Sequence, residues 1–332
     1  MTTFAENLIV DSLKESLQEV EVLLRNSMGS TNISLKKDLV KLIVSGGKRI
    51  RPRITLLIGN IFGVSRYHLL RVATAVEMMH TASLIHDDIS DKTLLRRGVE
   101  TINAHWPTST SVLAGDFVLT KAFRLILTTD SLSLIKLFTK TLDQMISGEL
   151  RYQTGQSNIP DKKVYFDWIG SKTAALFELA ASAPAHIHSV DTSLTKAASR
   201  FGYQIGMAFQ VVDDILDFTG SEIEYGKPVG NDLRQGTLTL PTLLYLDIHP
   251  EDHDLQLIVA GKKLEDKVYK RLLELISSSS AIDASLDWAN TFLNSGLNAL
   301  HYLPDLAIIN NIEFDHADIF KNLDEIETSF RR

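Results

Sequence analysis

Two five-residue stretches of this chain carry three aspartates each, at the same spacing. They are Asp87-Asp88-Ile89-Ser90-Asp91 and Asp213-Asp214-Ile215-Leu216-Asp217, 126 positions apart. With Asp at roughly 6% of residues, three at fixed places arise at about 2 in 10,000 start positions, so two copies in one chain are not an accident of composition. On a helix the first and fifth positions of such a stretch face the same way, and each copy presents a carboxylate cluster from one turn. Both copies follow strongly apolar sequence, Ser83-Leu84-Ile85-His86 and Ala208-Phe209-Gln210-Val211-Val212. Crowded like charges beside a core are unfavourable unless a cation relieves them. Hard oxygen donors suit magnesium, which takes one or two carboxylates and completes its shell with water and phosphate oxygens. Two such clusters facing one cavity would hold a diphosphate through bridging metal ions.

A diphosphate also needs positive charge. Gly46-Gly47-Lys48-Arg49-Ile50-Arg51-Pro52-Arg53 sets four cations behind two glycines, with Pro52 suited to a first helical turn. Glycines, a helix start and bidentate arginines are an anion-binding combination. Arg96-Arg97-Gly98 follows the first acidic stretch by one to two turns, and Gly98 is read as a helix end.

These residues must be carried by helices. Apolar residues recur at helical spacing from Leu8 to Leu24, then through 34–44, 53–62, 66–91, 111–128, 133–153, 161–182, 194–218 and 238–247, with several more helices beyond 252. Several are apolar around much of their circumference, which is the mark of helices buried inside a large bundle. With 18 Gly and 8 Pro in 332 residues, the chain lacks the punctuation that many strands need. Breaks fall at 46–47, 98, 155–160, 220–236 and 249–250, none of them an interdomain linker, so 1–332 reads as one all-α domain.

Composition removes other classes. The net charge of −7 argues against a nucleic-acid binder. The absence of cysteine excludes disulfides and thiolate metal sites. No uncharged apolar run approaches a membrane span, the first 26 residues do not read as a secretory signal, and a cytoplasmic setting is expected.

With these residues in hand, the chain resembles the trans-prenyl diphosphate synthases, the family of farnesyl, geranylgeranyl and longer polyprenyl diphosphate synthases. The likeness runs from about residue 40 to 245: GGKRIRP at 46–52, HTASLIHDDISDKTLLRRG at 80–98, LAGDF at 113–117, GSKTAALF at 170–177, GMAFQVVDDILDFTG at 206–220 and GKPVGNDLRQGTLTLP at 226–241. It implies the isoprenoid synthase fold, a single orthogonal helical bundle around a central cavity, and a homodimer. It implies magnesium, two or three ions per site, on Asp87, Asp91 and Asp213, with Asp88, Asp214 and Asp217 as further ligands directly or through water. Lys48, Arg51, His80 and Arg97 would bind isopentenyl diphosphate. Arg96, Lys172 and Lys227 would hold an allylic diphosphate, with Thr173 and Gln210 beside the developing carbocation. Asp232 would support the second metal cluster or cap its loop.

The same likeness bears on product length. Ala82, Ser83, Met79 and Val76, one or more turns before Asp87, would line the tail cavity, and none is aromatic. The first acidic stretch also lacks the two-residue insertion of several short-chain relatives, which points to a medium- or long-chain product rather than a farnesyl or geranylgeranyl one. Two rivals stand beside this: a non-catalytic subunit, which would typically lack one acidic stretch or the arginine pair, and a terpene cyclase, which would lack Lys48, Arg51 and His80 as a set. Ala183-Pro184-Ala185-His186 departs from the family pattern, as does the segment beyond 250.

Overall fold

The computed structural model describes residues 2–29, 32–45, 47–96, 98–155, 161–188, 190–220 and 229–303, with side chains from residue 12 onward. The chain is helical almost throughout. In order come α1 (Thr2–Ser27), α2 (Ile33–Val44), α3 (Ile50–Ile61), α4 (Arg66–Ser90), a two-stranded hairpin of β1 (Leu95–Arg96) and β2 (Val99–Glu100), α5 (Ile102–His105), α6 (Thr108–Leu127) and α7 (Leu132–Thr154). Then follow α8 (Lys162–Ile169), a π-helical turn (Gly170–Ala174), α9 (Ala175–Ser182), a 3₁₀ turn (Ala183–His186), α10 (Thr192–Thr219), α11 (Asn231–Gln235), α12 (Leu240–Ile248), α13 (His253–Val259), α14 (Asp266–Ser277) and α15 (Ser280–Leu300).

Local chemistry sets many of these boundaries. The side chains of Asn32, Ser131, Asp161, Asp191, Asp252 and Ser279 each accept a backbone N–H in the first turn of the helix that follows, which satisfies donors that a helix start otherwise leaves open. The helix carrying the first acidic stretch ends at Ser90. Lys92 adopts a left-handed conformation (φ +53°) and Thr93 N–H bonds back to Asp88 O at 2.9 Å, which turns the chain. Gly98, with φ +71°, therefore turns a hairpin rather than ending a helix, and Arg96 stands on a strand. That corrects the expectation from spacing. The Ala183–His186 departure is a 3₁₀ turn with Pro184 in its first residues, fastened by Ser131 Oγ donating to His186 O.

Two apolar cores run side by side. One joins α1 to α4 with α6, α7, α9 and the first half of α10, around Phe138, Phe177 and Phe201. The other joins the second half of α10 to α8 and to α11 through α15, around Tyr165, Ile215 and Leu272. Helix α10 belongs to both, and its small residues let α9 lie directly against it: a Cβ on Gly202 would meet Phe177 O at 2.4 Å. Helices α4 and α6 also meet at a glycine, where a Cβ on Gly115 would strike the His86 ring at 2.3 Å. The acidic ends of α4 and α10 are thus fixed on rigid, buried rods.

Candidate active site

Lys172 and Thr173, neighbours in the π turn, join the two acidic stretches. Lys172 Nζ lies 3.5 Å from Asp87 Oδ1 at the end of α4. The next residue, Thr173, donates its hydroxyl to Gln210 Oε1 at 2.6 Å, and Gln210 Nε2 donates to Asp214 Oδ1 at 2.8 Å on α10. Two consecutive side chains thus reach from the first aspartate cluster to the second. A π turn shifts the helical register by a residue, and such turns concentrate at functional sites. Sequence spacing, which read 161–182 as one continuous helix, did not reveal it.

Lys172 has a second carboxylate partner that motif reading missed. Glu149 Oε2 on α7 is 3.2 Å from Lys172 Nζ and accepts from Trp168 Nε1 at 3.0 Å, while Gln153 Nε2 donates to Oε1 at 2.9 Å. Glu149 occupies an ordinary position of an amphipathic helix, so nothing in α7 alone marks it. Burial works against the charge on Lys172, yet Asp87 and Glu149 together hold its pKa above the ordinary lysine value. Burial likewise disfavours charge on Glu149, but Lys172 and the Trp168 and Gln153 hydrogen bonds outweigh it and bring the carboxyl below its usual range.

The six aspartates divide in two. Asp87 and Asp91 are held above the usual carboxylate range, first by burial and further by the negative charges around them, Glu149 and Asp91 for Asp87 and Glu149 and Asp88 for Asp91. Asp213 is exposed at the matching place on α10. The other three, Asp88 and Asp214 buried and Asp217 half-buried, serve as acceptors. Asp88, 1% exposed, takes Arg96 Nε at 2.9 Å and Nη2 at 2.8 Å on Oδ1. Asp214, 2% exposed, takes Gln210 on one oxygen and the Tyr165 hydroxyl on the other at 2.5 Å. Burial, then nearby Asp232, raise its pKa well above the ordinary value. Asp217 accepts the backbone N–H groups of Asn231 and Asp232, each at 3.1 Å, and so pins the start of α11. These contacts give Asp88, Asp214 and Asp217 roles as acceptors within the fold that spacing alone did not reveal. The Arg96–Asp88 pair also holds Arg96 beside the first acidic stretch.

Of the basic residues, Arg51 lays its guanidinium over the Phe177 ring at 4.4 Å, and Lys48 and His80 are half-buried. Arg97, Lys227, Arg331 and Arg332 lie outside the described residues. Arg49, one of the four cations grouped as an anion site, turns into the core instead. On α4, His80 and Ser83 form with Leu84 and Asp87 a half-buried stripe, while Ala82, Met79 and Val76 are buried. A hollow of about 460 Å³ at the other end of α4 is lined by Glu19, Val22, Arg66, Tyr67 and Arg71, with no paired aspartate on its walls. It is remote from the chemistry.

The exposed donor set fits a hard divalent cation. Asp87, Asp91 and Asp213 offer carboxylate oxygens only, and burial with neighbouring negative charge disfavours the ionised form of Asp87 and Asp91. Among the described residues no three acidic or imidazole side chains form a ready-made cage. Magnesium bound partly by water and substrate phosphate requires none.

The polyprenyl synthetase family model matches residues 34–276, and the chain belongs to that family. It is a prenyltransferase with the all-α isoprenoid synthase fold. It is 32% identical over 293 residues to heptaprenyl diphosphate synthase component 2 of Bacillus subtilis (strain 168), covering 88% of this chain and 84% of that one. It is 34% identical over 283 residues to the octaprenyl diphosphate synthase of Escherichia coli (strain K12), covering 83% and 86%. In three dimensions it is similar to a polyprenyl synthase from Caulobacter crescentus CB15, solved with calcium and isoprenyl diphosphate. The TM-score is 0.83 at 31% identity, over 91% of this chain and 93% of that one.

Proposed function

We propose that this chain condenses isopentenyl diphosphate with an allylic diphosphate to give an all-trans polyprenyl diphosphate of medium to long chain. The observation that carries this reading is the Lys172–Thr173 step, which brings one diphosphate-holding lysine and one carbocation-facing hydroxyl between the two acidic turns. Names among the relatives support the length, since they include heptaprenyl and octaprenyl diphosphate synthases.

Asp87, Asp91 and Asp213 would hold magnesium, which supplies Lewis-acid stabilisation of the departing diphosphate when bound. Lys172, with Arg96 and Lys227, grips the allylic diphosphate. Lys48, Arg51, His80 and Arg97 hold the isopentenyl diphosphate. As the allylic carbon–oxygen bond breaks, the Thr173 and Gln210 oxygens lie near the growing positive charge, oriented by the Gln210–Asp214–Tyr165 chain of hydrogen bonds. The double bond of isopentenyl diphosphate attacks, and the proton then lost goes to the released diphosphate. Apolar walls keep out water that would otherwise capture the cation.

The catalytic unit is the single domain 1–332, and we place it in the cytoplasm; no described helix is long and apolar enough to cross a membrane. A homodimer is supported by large apolar side chains left exposed on α6 (Leu113, 66%) and one turn apart on α7 (Ile146, 51%; Leu150, 56%). One relative is named as a component of its enzyme, so a requirement for a second chain is the reading to test against.

Purified chain alone, given isopentenyl diphosphate, an allylic primer and magnesium, is expected to sediment as a dimer and yield a ladder of linear products on chromatography. Cyclised hydrocarbons would indicate a cyclase, and no elongation a dependent subunit. Chelation by EDTA is expected to abolish turnover and added magnesium to restore it. Undiminished elongation in excess EDTA would remove the metal from the mechanism.

A further inference from the structure

Of the cations at 48, 49, 51 and 53, Arg49 alone is buried, with its side chain 8% exposed. It stands just before the first residue of α3 at φ +54°, the left-handed region that a side chain disfavours. Its guanidinium grips three separate elements. Nε donates to Glu21 Oε1 on α1 at 2.5 Å, Nη1 to Glu77 Oε1 on α4 at 2.7 Å, and Nη2 to Ile43 O in the last turn of α2 at 2.5 Å. Burial alone would weaken the charge, but Glu21 and Glu77 more than offset it and hold the guanidinium protonated.

The connection matters because of what lies on either side. Lys48 is the preceding residue, and its carbonyl accepts Arg53 Nε at 2.9 Å. Arg51, two residues on, lies over Phe177. Glu77 precedes His80 by three residues and so shares its side of α4. Lys48 and Arg51 flank the start of α3 and His80 lies on α4, and the Arg49–Glu77 pair is one direct tie between the two. A strained backbone persists where its surroundings over-determine it, as this clamp does.

We propose that Arg49, through Glu77 and Glu21, is a positioning residue that sets the spacing of Lys48 and Arg51 from His80 and thereby the grip on isopentenyl diphosphate. This rests on the assignment of those three residues to that substrate. A buried ion pair kept only for stability could be exchanged for apolar side chains without loss, and often with gain. A positioning pair could not.

The test is steady-state kinetics on the full chain, varying each substrate separately, with melting temperatures alongside. Arg49→Lys keeps the charge but cannot reach three acceptors in one plane. Glu77→Gln keeps the shape and one acceptor. Both are expected to raise the KM for isopentenyl diphosphate by about tenfold or more while leaving that for the allylic substrate within about twofold. The double variant Arg49→Met/Glu77→Met removes both charges of the buried pair. It is expected to melt below the wild type, because Ile43 O and Glu21 lose their donor, and still to show the raised KM. A double variant with wild-type KM overturns the proposal, as does a rise that affects both substrates equally. Lys48→Ala separates this from the underlying site assignment. If Lys48→Ala raises the isopentenyl KM and the Arg49 and Glu77 variants do not, the clamp alone fails; if Lys48→Ala leaves it unchanged, the assignment fails and the clamp with it.

Discussion

Asp87→Ala and Asp213→Ala are each expected to lower kcat by at least about 10³-fold while leaving the fold intact, a loss on the scale of removing a main electrostatic stabiliser from a transition state. Stability should not follow activity. Burial disfavours the charge on Asp87, with Glu149 and Asp91 adding to that against the pull of Lys172, and Asp213 adds to the negative charge around Asp214, so removing either takes away an unfavourable charge. Lys172 keeps Glu149 at 3.2 Å when Asp87 is gone. The melting temperature is therefore expected to hold or rise. Asp214→Ala should behave in the opposite way. It strips acceptors from the buried Tyr165 hydroxyl and from Gln210, at about 1–3 kcal/mol for each group left unsatisfied, and should lose stability together with rate. Kinetics paired with thermal melts would separate the two kinds of aspartate. Near-normal turnover in both Asp87→Ala and Asp213→Ala would end the metal assignment. Unchanged stability in Asp214→Ala would end the distinction between them.

That distinction marks the boundary of what the sequence could convey. Periodicity placed α4 at 66–91 against 66–90 observed, and α7 at 133–153 against 132–154, because one-sided burial writes itself into spacing. The twin acidic stretches were legible for the same reason, being short and local. Which aspartates are bonded into the core depends on partners far along the chain. Tyr165 is 49 positions from Asp214, and Lys172 is 85 from Asp87. The π turn at 170–174 also escaped, because one inserted residue scarcely disturbs an apolar pattern over 22 positions. Arg49 looked like its three basic neighbours because no local signal distinguishes a solvated arginine from one reaching across to Glu77. The hairpin of β1 and β2 replaced an expected helix end for a similar reason: Gly98 with positive φ serves either role, and the turn at Lys92 decided it.

Product length is where the helix geometry makes its own demand. Four residues along a helix return within about 40° of the starting direction, so Ser83 lies under Asp87, about 6 Å deeper, whereas Ala82 points about 140° away. Ala82 falls instead on the side of His86, whose ring packs against Gly115 of α6. Burial agrees: Ser83 is half-buried on the His80–Asp87 stripe, while Ala82 is 2% exposed. A phenyl ring at 83 should therefore stand directly in the path of a tail growing from a diphosphate held at Asp87. Ser83→Phe is expected to retain the first condensation and to truncate the product ladder by several isoprene units. Ala82→Phe should shorten products too, but by crowding α4 against α6, and should cost about 1–3 kcal/mol of stability, as overpacking a filled core does. Chromatography of products from both variants, alongside thermal melts, checks the pair. An unchanged ladder from Ser83→Phe would mean that the tail does not run beneath Asp87 along α4. Shortening by Ala82→Phe alone would move the wall to the α4–α6 seam.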